Sequence, residues 1–140
     1  MQVRNVEPSD YKRVLNVLVD WWGGRDLRNM VYAGLFTHFK PTCFIVENDN
    51  GELIAFILGY LSQTYPDQAY INWIGVHPDY RRQGLARMLY ERFFEVAHAN
   101  GRHLVTCDTA KVNQLSLCWH QHMGFDVTEE TSRYNFSKII

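Results

Sequence analysis

Cysteine, proline and long apolar runs are all scarce in this 140-residue chain, which has three cysteines and four prolines. Cys43, Cys107 and Cys118 are an odd number and lack the close pairing of a zinc site, which argues against a disulfide framework or a cysteine-built metal centre. The longest apolar candidate, Leu53 to Leu61, is strand-sized and falls far short of the ~18 residues that a membrane span needs. Met1 to Asp10 carries Arg4, Glu7 and Asp10 and has no apolar core of export-signal length. A cytoplasmic protein with reduced thiols is therefore expected, with no membrane partner. Neither sign of charge dominates: 14 Lys and Arg stand against 15 Asp and Glu, a formal net charge of -1. That balance argues against a binder of nucleic acid or anionic membrane driven by bulk electrostatics, although it leaves room for a local basic patch.

What is present is a core-forming composition, 46% hydrophobic and 14% aromatic, too apolar for a disordered chain. At this length folding buries roughly 70% of the unfolded surface, so a single domain over 1–140 needs no metal or disulfide. Pro8-Ser9-Asp10 reads as a helix start, followed by Tyr11, Val14, Leu15, Leu18, Val19 and Trp22 at helical spacing and stopped by Gly23-Gly24. Arg25 to Lys40 reads as a second helix of only approximate period, closed by Pro41. The period then changes to that of strands. Cys43 to Glu47 and Leu53 to Leu61 flank the hairpin turn Asp49-Asn50-Gly51, and Ala69 to Val76 follows. Gly75 inside this third strand marks a bulge or a close backbone approach. Gly84 to Ala99 is an amphipathic helix with Leu85, Leu89, Phe93 and Val96 on its apolar face. His103 to Asp108 is a strand, Asn113 to Met123 a short helix, and Val127 to Thr131 with Tyr134 to Ile140 a closing pair. With a short opening strand at Gln2 to Val6, this mixed order predicts an α/β or α+β three-layer domain.

The segment richest in chemistry is strand, His77-Pro78-Asp79-Tyr80, Arg81-Arg82-Gln83-Gly84-Leu85-Ala86, then helix. A helix N-terminus leaves backbone N–H groups unpaired and partly positive, which suits a phosphate. Gly84 permits close approach of a ligand, and Arg81, Arg82 and Arg87 add charge beside it. An ordinary strand-to-helix turn with solvated arginines is the plainer alternative. The loop lacks the Gly-Lys-Ser/Thr of a nucleotide-hydrolysing loop and the three spaced glycines of a dinucleotide fingerprint.

Ile74 to Ala86 resembles the acetyl-CoA signature of the GNAT superfamily of N-acetyltransferases, Gln/Arg-x-x-Gly-x-Gly/Ala, matched by Arg81, Gly84 and Ala86. Asn113, Ser116, Trp119 and Gly124-Phe125 are similar to a second motif of that family. The resemblance implies a GNAT-like fold, a mixed and mostly antiparallel central sheet flanked by helices, in which two strands splay apart near the bulge to receive a thioester. It implies acetyl-CoA as co-substrate, with no metal. Ile74, Gly75 and Val76 would meet the pantetheine arm through their main chain. Arg81, Arg82, Gln83, Gly84, Leu85, Ala86 and Arg87 would surround the pyrophosphate, and Asn113 and Ser116 would contact the cofactor from the opposite helix. The implied activity is acetyl transfer to a primary amine, taken as that of a small molecule, by direct attack in a ternary complex. A protein N-terminus or lysine as acceptor, or a CoA-binding module without turnover, are the alternatives. Relatives often pair through their last strands, so a homodimer stays open.

The chain departs from the family in two places. Where the family has a tyrosine beside the departing sulfur, this chain has His120. Asn113, Ser116 and His120 share one helix face at i, i+3 and i+7, with Leu115, Trp119 and Met123 as an adjoining core stripe. An imidazolium there could act as general acid, and a neutral imidazole could donate a hydrogen bond. The strand Tyr70 to Val76 holds no carboxylate to act as base. Asp108 is the first candidate, with Glu47 and Asp20 behind it, and a water relay is the alternative. Trp21 and Asn72 are assigned to the acceptor site, with Trp22 in the core. Cys118 and His122 at i, i+4 are too few to hold a metal.

Overall fold

The computed structural model describes residues 1–140, and it folds around one seven-stranded sheet. In chain order the strands are β1 (Gln2–Asn5), β2 (Phe44–Glu47), β3 (Leu53–Leu61), β4 (Gln68–Val76), β5 (Leu104–Ala110), β6 (Asp126–Glu129) and β7 (Arg133–Ile139). The helices are α1 (Asp10–Trp21), α2 (Leu35–His38), α3 (Leu85–Ala99) and α4 (Gln114–His122). The spatial order is β1-β2-β3-β4-β5-β7-β6, and every neighbouring pair is antiparallel except β4 and β5. This is the mixed, mostly antiparallel sheet flanked by helices that the motifs imply.

Alternation along β2 and β3 divides the core into two layers. Phe44, Val46, Ala55 and Ile57 face α3, whereas Ile45, Phe56 and Leu58 face α1 and α2. Covering both faces explains why β3 is a continuous apolar run rather than an alternating one. On α3 the buried positions Leu85, Leu89, Phe93 and Ala97 recur every four residues, the stripe that holds this helix to the sheet.

Two expectations need correction, and of the two readings of Gly75 one holds. Arg25 to Lys40 is not one helix but a 3-10 turn at Arg28–Met30, the four residues of α2, and a second 3-10 turn at Lys40–Thr42. Only Val31, Leu35 and Phe36 of this stretch are buried, too few and too unevenly spaced to anchor sixteen helical residues. Gly75 is a close approach and not the bulge. A side chain at Gly75 would collide with the Phe56 ring and come within 3.2 Å of Trp21. The bulge lies at Asn72, because Leu58 pairs with Trp73 while Gly59 pairs with Ile71. On α4, Leu115 is 85% exposed and leaves the stripe, which half-buried Trp119 and buried Met123 continue into the core.

Candidate active site

β4 and β5 run parallel, but their pairing covers only Gln68 to Tyr70 against Leu104 to Thr106. Beyond that point both strands continue without bonding to each other, and the sheet opens between them. The ladder fixes which groups look into this gap. His77 N–H bonds to the Ile54 carbonyl at 2.9 Å, so by the two-residue alternation of an antiparallel ladder Gly75 bonds toward β3. Ile74 and Val76 therefore turn their N–H and C=O groups away from β3, toward the opening. The Ile74 carbonyl accepts from Trp22 Nε1 at 3.1 Å and the Val76 carbonyl from Arg81 Nε at 3.3 Å.

At one end of the gap the chain turns into α3. His77 holds the 3-10 turn Pro78–Tyr80 by accepting the Asp79 N–H on Nδ1 at 3.0 Å, and the Tyr80 hydroxyl accepts from Asn48 at 3.2 Å. Past this anchor, Arg82 has φ 62 and Gly84 φ 79, two left-handed residues flanking Gln83. Arg82 is the only non-glycine residue with positive φ. Such a conformation curls successive N–H groups into a concave anion nest, and Gly84 caps α3 so that its first-turn N–H groups face the same way. Arg81, Arg82, Gln83 and Arg87 are exposed around it. The Leu85 side chain is buried in the core, so only its main chain can meet a ligand. The Arg81 guanidinium also bonds to the Trp21 carbonyl at 2.5 Å, tying the loop to the end of α1.

The opposite wall is β5 and α4. Asn113 caps α4, its Oδ1 accepting the Ser116 N–H at 3.1 Å. His120 is not the open, proton-bearing imidazole the motif suggested. It is 6% exposed and stacked on Phe136 with ring centres 4.1 Å apart. Its Nδ1 lies 2.7 Å from the Ser116 carbonyl, which only accepts, so that nitrogen carries the hydrogen. Nε2 then accepts from the Tyr90 hydroxyl at 2.9 Å, with Cys107 Sγ at 3.4 Å. Burial lowers the His120 pKa below its ordinary value, outweighing the Ser116 bond, and keeps the ring neutral. Burial likewise raises the Tyr90 hydroxyl and the Cys107 thiol.

The candidate bases are also engaged. Asp108 accepts from Arg133 Nε at 2.9 Å and from the Tyr70 hydroxyl at 2.8 Å. Burial, then the bond to Asp108, raises the Tyr70 pKa. Glu47 is ion-paired with Arg4 and Arg13 on the β1–β2 side, and neither it nor Asp20 lines the gap. Both tryptophans line the gap, Trp21 from within the core and Trp22 from outside the place expected of it. Trp21, 4% exposed, continues the Val14 and Leu18 stripe and stacks on Phe56. Trp22 leaves the helical path at φ -106, ψ 30, and its ring reaches β4 to lie against Trp73.

These parts enclose one cleft of about 600 Å³. It runs from Trp22, Arg25, Leu27 and Met30 over Asn72, Trp73 and Ile74 to Asp108, Asn113, Ser116 and His120. Val76 and the residues from Arg82 to Arg87 lie outside it, on the α3 side. Sequence reasoning missed Trp22, Trp73, Tyr90, Arg25 and Arg133. Tyr90, buried on α3 and hydrogen-bonded to His120, carried no local signal. No group of three His, Cys, Asp or Glu side chains is placed to hold a metal ion, and no helix is long and apolar enough to cross a membrane.

Residues 11–125 match the acetyltransferase (GNAT) family. The chain is 33% identical over 79 residues to the L-2,4-diaminobutyric acid acetyltransferase of Chromohalobacter salexigens, a match covering 56% of this chain and 41% of that one. It is 40% identical over 55 residues to the L-amino acid N-acyltransferase MnaT of Escherichia coli, covering 39% and 32%. The chain thus spans less than half the length of these two curated relatives. Among solved structures, diaminobutyrate acetyltransferase EctA from Paenibacillus lautus, in complex with L-2,4-diaminobutyric acid and coenzyme A, superposes with a TM-score of 0.74. That pair is 21% identical, over 96% of this chain and 93% of the other.

Proposed function

The chain belongs to the acetyltransferase (GNAT) family, and from that membership we propose that it moves an acetyl group from acetyl-CoA to the primary amine of a small molecule, by direct attack in a ternary complex. The observation that carries this reading is the opening between β4 and β5, with an anion nest built from Arg82 and Gly84 at its α3 end. The residues present suit the co-substrate. The N–H groups of the loop and first turn, with Arg81, Arg82 and Arg87, would hold the pyrophosphate. Ile74 and Val76 offer unpaired N–H groups to an extended arm, with Asn113 and Ser116 across from them. Acetyl-CoA, when bound, supplies the acetyl group as an activated thioester.

The rest falls to the chain's own residues. The Val76 N–H is assigned to the thioester carbonyl, a fixed dipole where negative charge develops. Holding the amine in the cleft replaces a chance encounter with a positioned one. An alkylammonium, with a pKa near 10.4, must first lose a proton. Asp108 is committed to Arg133 and Tyr70, so we assign it to positioning and route that proton through cleft water. The Tyr90–His120 pair has both of its hydrogens committed, His120 Nδ1–H to the Ser116 carbonyl and the Tyr90 O–H to His120 Nε2, so we assign it to holding the α4 wall and leave the departing sulfur to take its proton from cleft water. A reducing cytoplasmic compartment suits the three free thiols, and a homodimer would extend the sheet from its β6 edge. The engagement of Asp108 and His120 by neighbours is what favours the second reading, a CoA-binding module without turnover.

Calorimetric titration of acetyl-CoA into wild type and Gly84→Glu tests the reading. A Cβ at Gly84 meets nothing within 4 Å, so the variant keeps its packing while forcing a side chain onto φ 79 and a carboxylate into the nest. Affinity is expected to fall about 100-fold or more, ~2.7 kcal/mol. Equal affinity in both proteins would refute the site. Binding without coenzyme A release across an amine panel would favour the module.

A further inference from the structure

The carbonyls of Ile74 and Val76, which β4 turns toward the opening, are each already engaged by a side chain. At Val76 the donor is Arg81, from the loop before α3. At Ile74 it is the Trp22 indole, from the α1 side of the cleft. The two residues at the end of α1 are held very differently. Trp21 is buried and stacked on Phe56 at 5.8 Å, and its carbonyl accepts from the Arg81 guanidinium at 2.5 Å. A cation on a last-turn carbonyl also suits the negative end of the helix. Trp22 is only half-buried, and its indole N–H goes to Ile74 at 3.1 Å. Otherwise its ring lies against Trp73 and Phe56, at 5.2 and 6.3 Å. Behind it come Gly23 at φ 67 and Gly24 at φ 86, where an added side chain would meet nothing within 4 Å. Arg25, Leu27 and Met30 follow and line the cleft. A fixed residue, a pivot and a lip thus succeed one another along the chain.

Resting on the acetyl-transfer reading above, we propose that the Trp22 indole and the pantetheine arm compete for the Ile74 carbonyl. Trp22 is thereby a positioning residue, one that joins the cofactor to the wall the amine meets. An arm laid along β4 as an added strand brings amides, each with a donor as well as an acceptor. Its carbonyls find the free N–H groups of Ile74 and Val76. Its N–H groups find only carbonyls that carry a donor already. Two donors on one oxygen weaken each other, and an arm N–H left without an acceptor is costly. Of the two caps the indole yields. It is a neutral donor that water can reach, whereas Arg81 is charged and anchored twice. Because Arg81 keeps Trp21 in place, the movement falls on the Trp22 side chain and the two glycines after it. From there it passes to the lip at Arg25, Leu27 and Met30, so the arm sets the wall.

The test uses ¹⁵N-labelled protein, in which the Trp22 indole, one of four, is assigned through its own backbone amide. Coenzyme A is expected to move the Gly84 amide. By weakening the bond to Ile74 it should also shift the Trp22 indole proton upfield, together with the Gly23 and Gly24 amides. ADP, which carries a pyrophosphate and no arm, should move the Gly84 amide and leave the Trp22 indole in place. In calorimetry Trp22→Phe, which keeps an aromatic ring and lacks the donor, should bind coenzyme A about 2- to 10-fold tighter than wild type, the worth of one neutral hydrogen bond. It should bind ADP no tighter. An indole signal that stays in place while Gly84 moves, or that moves equally with ADP, overturns the inference and leaves the cofactor site standing. Weaker binding of coenzyme A by the folded variant does the same. If neither signal moves with coenzyme A, the acetyl-transfer reading falls and the inference with it. The wild-type signals decide the matter even where the variant does not fold.

Discussion

The two ends of α1 treat buried polar groups in opposite ways. At its start Asp10, 1% exposed, accepts from Arg4 at 2.9 and 3.1 Å, from Arg13 at 3.0 Å and from the Glu7 N–H at 2.8 Å. Burial pushes the Asp10 carboxyl up, yet the Arg4, Glu7 and Arg13 bonds together hold it below its usual range. At the other end Trp22 lies against Trp73, whose N–H bonds to nothing. A polar group that the chain satisfies for itself belongs to the scaffold. One that the chain leaves unsatisfied costs stability and adds nothing to the scaffold.

Breaking the satisfied end should cost the most. Asp10→Ala removes the buried carboxylate that Arg4, Arg13 and the Glu7 N–H share, although both guanidinium groups keep Glu47, and is expected to lose about 2–3 kcal/mol of stability in urea titration. Turnover per folded molecule should be unchanged. A loss below about 1 kcal/mol would mean the cluster is solvated after all and the contrast false. Gly75→Val probes the scaffold beneath the cleft. Its side chain would collide with Phe56 and press on Trp21, an overpacking worth roughly 1–3 kcal/mol. Wild-type stability here would show that α1 moves freely against β4.

His120 sharpens the comparison, because it lines the cleft yet is satisfied, and so should behave as scaffold. Its folded pKa is depressed by burial, so the unfolded state binds the proton more readily. Stability is then full above the unfolded value near 6.5 and falls as pH drops below it, by at most about 1.4 kcal/mol per pH unit. Denaturation measured at pH 7.5 and 5.5 should show this drop in wild type and a smaller one in His120→Gln. Equal drops would mean that His120 takes its proton as freely folded as unfolded.

Local signals in the sequence carried much of this molecule. The period of β3, the stripe on α3 and the glycine that turns Val76 into α3 are properties of short windows, and they appear where the residues place them. The remainder depends on contacts between distant segments. Trp21 and Trp22 both continue the Leu18 stripe, and only the end of the helical path at Trp22 decides which ring enters the core. His120 occupies the expected face of α4, but the hydrogen that its Nε2 accepts comes from Tyr90, thirty residues away and without a motif. The opening of the sheet leaves no trace in the β4 or β5 pattern, since a strand that stops pairing keeps its alternation. The stretch from Arg25 to Lys40 holds enough helix formers to suggest a helix and too few buried residues to sustain one.

The parting of β4 from β5 also bears on how the protein avoids its own kind. An unpaired strand normally invites a neighbouring chain to add to it, and aggregation follows. Here the outer borders of the sheet are β1 and β6, each only four residues long. The longer bare stretch, beyond Tyr70, lies between strands rather than at a border. A second polypeptide cannot come alongside it from the flank, whereas a slender extended ligand can slide in from the end. The fold thus keeps its most adhesive backbone where a small molecule reaches it and another copy of the chain does not.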